Sequence, residues 1–159
     1  MQTPGFFHYS TEMGDSDEHQ LVFLHNSTQE EWQSLMAIMQ LQSFQEGDYI
    51  VRQGDMDECI FFIASGKLQV SINLGDNVPH DVAVLGAGAI FGEQAFFDRL
   101  PRSATVQGVE AGEIYRLSRG YFDSLAARQP ELGNKILFEF GRILSSRLRR
   151  ATKLLSQAT

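Results

Sequence analysis

Short apolar runs fill the middle of the chain, and apolar residues follow a helical spacing towards both ends. Between residues 41 and 117, runs rich in β-branched and aromatic residues are separated by glycines; they cover 49–51, 60–63, 68–72, 82–85, 104–106 and 113–117. Many short strands with glycine-rich turns are typical of a β-sandwich or barrel. Because no ten-residue helical pattern separates the runs, a parallel α/β sheet is not expected. The pattern predicts a mainly β fold, an antiparallel β-roll or jelly-roll barrel.

A helical pattern precedes this β region. Ser27 and Glu30 have the spacing of a capping box, in which a hydroxyl caps the helix and a glutamate follows three residues later. Apolar residues then recur at helical spacing: Trp32, Leu35, Met36 and Met39. We predict a short amphipathic helix over 28–39.

A second helical pattern follows the β region. Ser118 or Asp123 can cap a short helix, and Pro130 suits the first turn of a longer one over 131–155. The longer pattern carries a heptad-like apolar seam, made of Leu137, Gly141, Leu144, Leu148, Ala151 and Leu155. Such a seam packs on the barrel, on a second copy, or on both. We therefore divide the chain into a flexible acidic leader (1–20), a β-roll with its N-terminal helix (21–130) and a C-terminal helix (131–159).

Composition excludes several classes of protein. The 159 residues carry a formal charge of −7, and 43% apolar with 21% charged residues is close to the globular average. The single cysteine, Cys59, excludes a disulfide framework and a cysteine-rich metal site within one chain. No apolar run reaches the ~18 residues of a membrane span, and the N-terminus lacks a signal-peptide pattern. We expect a cytoplasmic protein.

Metal and catalytic chemistry have no support in the sequence. The histidines are scattered at His8, His19, His25 and His80, so no metal site is expected. No arrangement of nucleophile and base stands out, and we predict no enzymatic activity and no cofactor.

Charge is unevenly distributed. No lysine or arginine precedes Arg52, whereas only basic charges follow Glu139: Arg142, Arg147, Arg149, Arg150 and Lys153. A basic tail can bind nucleic acid, and it can equally be a solvated helix face. Because the chain is acidic overall, we expect no direct DNA binding.

Residues 90–106, IFGEQAFFDRLPRSATV, carry the most informative chemistry. Gly92 allows close backbone approach and precedes a run that can start a helix, whose free N–H groups attract an anion. Arg102 would sit among apolar neighbours, which requires an anionic partner. That partner is either Glu93, as an internal ion pair, or an external phosphate.

This stretch resembles the phosphate-binding cassette of the cyclic-nucleotide-binding domain family, which includes kinase A regulatory subunits and bacterial catabolite activators. The matching motifs are Phe-Gly-Glu at 91–93 and Pro-Arg-Ser-Ala-Thr-Val at 101–106. Upstream segments at 46–50, 53–57, 61–63, 65–70 and 85–88 follow the family pattern in order. The resemblance covers about residues 24–155. It implies a regulatory domain that binds cAMP, with cGMP as the less favoured ligand.

By the resemblance, Arg102 pairs with the cyclic phosphate and Glu93 accepts a hydrogen bond from the ribose 2′-hydroxyl. Backbone amides near four residues complete the phosphate cradle: Gly92, Gln94, Ala95 and Ser103. Strand side chains that line the base and sugar are Val70, Val82 and Leu85, which are otherwise ordinary core residues. The family also caps the purine from its last helix, where Arg147 is our candidate and Arg142 and Leu148 are rivals.

The resemblance leaves the output open. A chain that ends at Thr159 has no room for a DNA-reading helix-turn-helix after the seam. We expect the output to lie in an effector protein, in a homodimer formed through the C-terminal helix, or in further sequence of a longer protein. The alternatives are a repurposed fold that mediates protein–protein contacts without nucleotide, and a fragment that binds nucleic acid through its basic helix.

Overall fold

The structure, a computed structural model, describes residues 8–9, 21–24 and 27–158. Most of the expected acidic leader, 1–20, lies outside the described residues. Within the described part the elements follow this order: β1 His8–Tyr9, β2 Leu21–Val22, α1 Gln29–Ile38, β3 Gln40–Phe44, β4 Tyr49–Val51, β5 Cys59–Asn73, β6 Pro79–Leu85, β7 Ile90–Phe91, α2 Glu93–Asp98, β8 Thr105–Ser118, α3 Arg119–Arg128 and α4 Pro130–Gln157. None of the described helices is long and apolar enough to cross a membrane.

The sheet is antiparallel and is organised around two long strands. Strands β5 and β8 pair along most of their length, and the hydrogen-bonded path runs β3-β8-β5-β6. Strand β4 pairs with β8, and β7 pairs with β5. The predicted mainly β fold with flanking helices is confirmed. Among the described strands the path is open, with β3 and β6 at its ends, so the sheet is not a closed barrel.

Four of the predicted strands are halves of longer ones. The runs at 60–63 and 68–72 belong to β5, and those at 104–106 and 113–117 belong mostly to β8. Gly66, expected at a turn, has φ +85° inside β5, where the pairing with β8 shifts register. A bulge of this kind inserts residues without ending the strand, so the glycine marks an irregularity and not a chain reversal.

Helix α1 confirms the N-terminal helix, but the predicted cap is wrong by one residue. The Thr28 hydroxyl accepts from the Glu31 N–H at 3.1 Å, and the Glu31 carboxylate accepts from the Thr28 N–H at 3.1 Å. Ser27 instead donates its hydroxyl to the Leu24 carbonyl at 2.6 Å. Because that bond closes the preceding turn, the helix begins one residue later.

The C-terminal helices form as predicted, with Ser118 capping α3 and Pro130 starting α4. One face of α4 buries Ile136, Phe140 and Ile143 against the core. The seam lies elsewhere on the helix: Leu144 is half-buried, and the other five seam residues are exposed. Within the described residues, the seam is therefore not the surface that packs on the sheet.

Alternate residues of β5 divide the core in two. Phe62 packs with the helices, whereas Phe61 and Ile63 point into the roll, as expected from the two-residue period of a strand. The ring centroids of Phe140 in α4 and Phe96 in α2 lie 5.4 Å apart. This packing holds α4 against β5 and α2.

Candidate functional site

A cavity of about 360 Å³ lies between β5, β6, the segment around α2 and one face of α4. All ten residues singled out from the sequence line it: Val70, Val82, Leu85, Gly92, Glu93, Gln94, Ala95, Arg102, Ser103 and Arg147. These residues span almost 80 positions of the chain, so the fold brings them together. Their roles in binding stay predictions.

Gly92 is the turn between β7 and α2. It caps the helix with φ +86°, in the left-handed region that glycine adopts without steric cost. A Cβ atom there would lie 2.8 Å from Arg102 Nη1 and 2.9 Å from the Cys59 carbonyl oxygen. Only glycine leaves room for the arginine behind it.

The Arg102 side chain is buried, with 4% of the residue exposed, and its partner in the fold is Asp57. Arg102 Nη2 donates to Asp57 Oδ1 at 2.7 Å, and Nε donates to Oδ2 at 3.1 Å. Nη1 also donates to the Gly92 carbonyl at 3.0 Å, and Nη2 to the Cys59 carbonyl at 2.6 Å. The alternative of an internal Glu93–Arg102 pair is therefore wrong, because Asp57 supplies the charge that the guanidinium requires.

The environment of Asp57 favours its ionised form. Burial raises the pKa of this carboxyl. Hydrogen bonds from Arg102 and from the Cys59 N–H lower the pKa by more than burial raises it, so the pKa lies below its ordinary value. A carboxylate that receives several N–H donors is stabilised in its charged state. The pair fixes the guanidinium at the cavity floor.

Glu93, at the start of α2, is 6% exposed and forms an ion pair with Arg147 of α4. The Arg147 guanidinium also donates to the Ile90 carbonyl. The carboxylate predicted to bind the sugar thus holds the last helix against the cavity. A carboxylate accepts several hydrogen bonds, so contact with Arg147 leaves acceptor capacity for a ligand hydroxyl.

Ser103 and Gln94 meet at the rim of the cavity, where the Ser103 hydroxyl donates to Gln94 Oε1 at 2.7 Å. Both side chains are exposed. The bond joins the start of α2 to the residue that follows the loop 99–102.

Apolar side chains form the opposite side of the cavity. Val70 and Leu85 are half-buried and pack against the core of the roll while also lining the cavity, whereas Val82 is 49% exposed and is not a core residue. They make this side of the cavity mostly apolar, as is usual in small-molecule sites.

The rivals to Arg147 on α4 do not line the cavity. Arg142 pairs with Glu139 at 3.0 Å, and Leu148 is 68% exposed. Three further α4 residues do line it and were not predicted from the sequence: Ile143, Ser146 and Arg150. Asp57 was also missed; its position in a Gly-Asp-Met-Asp turn before a buried strand was the available signal.

Chemically, the site combines one buried arginine, one buried carboxylate and a mostly apolar surface. Within the described residues, no group of His, Cys, Asp and Glu side chains is arranged to hold a metal ion. The arrangement suits a ligand with one negative charge, at least one hydroxyl and an apolar ring.

Comparisons of the sequence with known proteins point to one family. The sequence model of the cyclic nucleotide-binding domain matches residues 41–129, more than half of the chain. A putative potassium channel protein of Rhodopseudomonas palustris is 33% identical over 102 residues, which are 64% of this chain and 24% of the channel. The cyclic AMP receptor protein of Thermus thermophilus is 29% identical over 127 residues, 80% of this chain and 57% of the receptor.

A solved structure agrees. The catabolite activator protein of Thermus thermophilus superposes with a TM-score of 0.77 at 28% identity, over 86% of this chain and 62% of that one. The chain thus spans about a quarter to three fifths of the length of these relatives.

Proposed function

The chain belongs to the cyclic nucleotide-binding domain family, and from this premise we propose that it binds a purine 3′,5′-cyclic nucleotide in the cavity beside α4. Cyclic AMP is the proposed ligand and cyclic GMP the alternative. The domain acts as a sensor without a cofactor and without a catalytic step. A cytoplasmic location fits the buried Cys59 thiol, which suits a reducing compartment.

The observation that carries the proposal is Arg102 at the cavity floor. A guanidinium has five N–H groups, and four of those of Arg102 bond to Asp57, Gly92 and Cys59. One Nη1 hydrogen remains for a ligand, next to the first backbone N–H groups of α2. These donors suit a phosphodiester, which has a single charge and two exocyclic oxygens.

Ligand binding is coupled to α4 through Glu93. The ribose 2′-hydroxyl donates to the same carboxylate that holds Arg147. A ligand shifts a conformational equilibrium only when it contacts one state better than another. The state with α4 against the cavity gains these contacts, so the nucleotide favours the closed position of the helix.

The output surface is the exposed seam of α4. A heptad-like stripe from Leu137 to Leu155, in which five of the six residues are exposed, suits a second α4 helix. We assign the seam to a homodimer, with an effector helix as the other outcome of the test.

Thermal unfolding of the chain with cAMP, cGMP and cyclic di-GMP tests the binding. A ligand at ~100 times its Kd adds about 2.7 kcal/mol of stability, which for this size of chain raises Tm by roughly 5–10 °C. We expect that shift for the wild type with a cyclic mononucleotide and its loss in Arg102→Ala.

Two further variants keep the result interpretable. Arg102→Lys keeps the positive charge but loses the two-point contact with Asp57. We expect this variant to remain folded and to bind the nucleotide weakly. Arg128→Ala removes an exposed arginine of α3 outside the cavity and should behave as the wild type. Equal shifts in all of these proteins would contradict the proposal.

One observation favours a second function, a protein-interaction module that binds no nucleotide. Both charged site residues have partners in the fold, Asp57 for Arg102 and Arg147 for Glu93. Neither charge therefore requires a ligand for stability. If no cyclic nucleotide shifts Tm at millimolar concentration, this second function replaces the first.

A further inference from the structure

The hydrogen bond between Ser103 and Gln94 lies in the cavity, and the proposed function does not use it. The Ser103 hydroxyl donates to Gln94 Oε1 at 2.7 Å, and both residues line the cavity. In the part of the chain that the structure describes, neither side chain makes another hydrogen bond. Gln94 belongs to the first turn of α2 and Ser103 follows Arg102, so the bond lies beside the groups proposed to hold the phosphate.

The Ser103 hydroxyl has a single hydrogen, and Gln94 receives it. A serine hydroxyl is one donor with two acceptor lone pairs. With its hydrogen directed to Gln94 Oε1, the Ser103 oxygen offers only lone pairs to other groups. The exocyclic oxygens of a phosphodiester are acceptors as well. Ser103 can therefore donate to the phosphate only when its bond to Gln94 breaks.

The relative strength of the two bonds decides which one forms when a ligand is present. The bond to Gln94 joins two neutral groups, whereas a bond from the hydroxyl to a phosphate oxygen is charge-assisted and about twice as strong. Gln94 is exposed, so water can replace the hydrogen bond that its carbonyl oxygen loses. The exchange favours the phosphate, but the ligand gains only the difference between the two bonds.

Resting on the proposed function, we propose that Gln94 competes with the bound phosphate for the Ser103 hydroxyl hydrogen and thereby lowers the affinity of the cavity for cyclic nucleotides. Gln94 is a positioning residue in this role, because its side chain acts through Ser103. The competition concerns the phosphate, which all cyclic mononucleotides share. Its effect on cAMP and on cGMP is therefore the same.

A double-mutant cycle in titration calorimetry tests the competition, with cAMP and cGMP as ligands. The four proteins are the wild type, Gln94→Leu, Ser103→Ala and the double variant. Leucine is similar in size to glutamine and lacks the acceptor. We expect Gln94→Leu to bind both nucleotides about fivefold more tightly than the wild type, the range of one net hydrogen bond. In the Ser103→Ala background the same change should have no effect, because no hydroxyl is left to release.

Gln129→Leu is the matched control. Gln129 also bonds to a serine through its side chain, since its Nε2 donates to the Ser34 hydroxyl oxygen at 3.1 Å. That pair does not line the cavity. The variant should bind both nucleotides as the wild type does.

Four results would overturn the proposal while leaving the proposed function intact. Weaker binding by Gln94→Leu would mean that Gln94 contacts the ligand itself, and an unchanged affinity would mean that there is no competition. A gain that persists in the Ser103→Ala background would have another source than the hydroxyl. A gain for only one of the two nucleotides would mean that the pair acts on the base. If the wild type bound neither nucleotide, the proposed function would fail and this proposal with it.

Discussion

Asp57 and Arg102, 45 positions apart, form a two-point ion pair at the floor of the cavity, with contacts of 2.7 and 3.1 Å. The arginine side chain is 3% exposed and the aspartate side chain 27%. The pair orients the guanidinium, and two backbone carbonyls complete its surroundings. Asp57 does not line the cavity, so under the proposed function it is a positioning residue that acts only through Arg102.

Replacing Asp57 with asparagine should weaken both the fold and the site. The change removes the charge and at least one acceptor from buried N–H groups, so we expect a loss of about 1–3 kcal/mol in the free energy of unfolding. Arg102 becomes less well oriented, and the affinity for a cyclic nucleotide should fall about tenfold, the equivalent of 1.4 kcal/mol. Asp81→Asn, the same charge change at an exposed position of β6, should change neither. Wild-type affinity in Asp57→Asn would show that Arg102 needs no orientation.

The same pair predicts a pH dependence. The pKa of Asp57 lies below its ordinary value of 3.8, so its ionised form stabilises the folded state. That contribution is fully present well above pH 3.8 and is lost as the pH falls through the lower folded-state pKa. The difference in Tm between the wild type and Asp57→Asn should be constant near neutrality and shrink below about pH 4. A difference that grew on acidification would contradict this account.

Gly92→Ala should damage the site through the backbone. An alanine at φ +86° is strained, and its Cβ would lie within 3 Å of Arg102 Nη1 and the Cys59 carbonyl. We expect a loss of about 1–3 kcal/mol in stability and no measurable nucleotide binding. Gly86→Ala is the matched control, since a Cβ there meets nothing within 4 Å and the φ is not positive. Chemical denaturation of the two variants compares them directly.

The seam can be tested apart from the cavity. Leu148 is 68% exposed, so Leu148→Glu should leave the fold intact and convert a dimer to a monomer in light scattering. Leu100→Glu changes a leucine that is 59% exposed in the cassette loop and should stay dimeric. A wild type that is monomeric across the concentration range, with and without nucleotide, would remove the homodimer from the account.

The sequence predicts which helices and strands form more accurately than it predicts the residues at which they begin and end. The sequence predicts two strands at 60–63 and 68–72 because Gly66 lies between them, yet β5 continues through a bulge. Whether a glycine reverses the chain or bends a strand depends on the partner strand, which a local pattern does not contain. The one-residue shift at Thr28 has the same origin, since the Ser27 hydroxyl bonds to Leu24 instead.

The cassette was visible because its residues are close together in the sequence. Gly92, Glu93 and Arg102 lie within eleven consecutive positions and have a recognisable spacing, and the structure places all three at the cavity. The sequence does not predict how these residues pair: Asp57, which precedes Arg102 by 45 positions, is not singled out, and Arg147, which follows Glu93 by 54, is expected at the purine and not at Glu93. Pairing across such separations is decided by how α4 and β5 pack, and no spacing rule supplies it.

Titration calorimetry of the wild-type chain with cAMP, cGMP and 5′-AMP tests the central claim most directly. We predict saturable binding of one cyclic nucleotide per chain and far weaker binding of 5′-AMP. The linear phosphate carries a second charge, which the single remaining Nη1 hydrogen of Arg102 and the α2 amides do not match. No heat from either cyclic nucleotide at millimolar concentration, or equal binding of the cyclic and linear forms, would contradict the account.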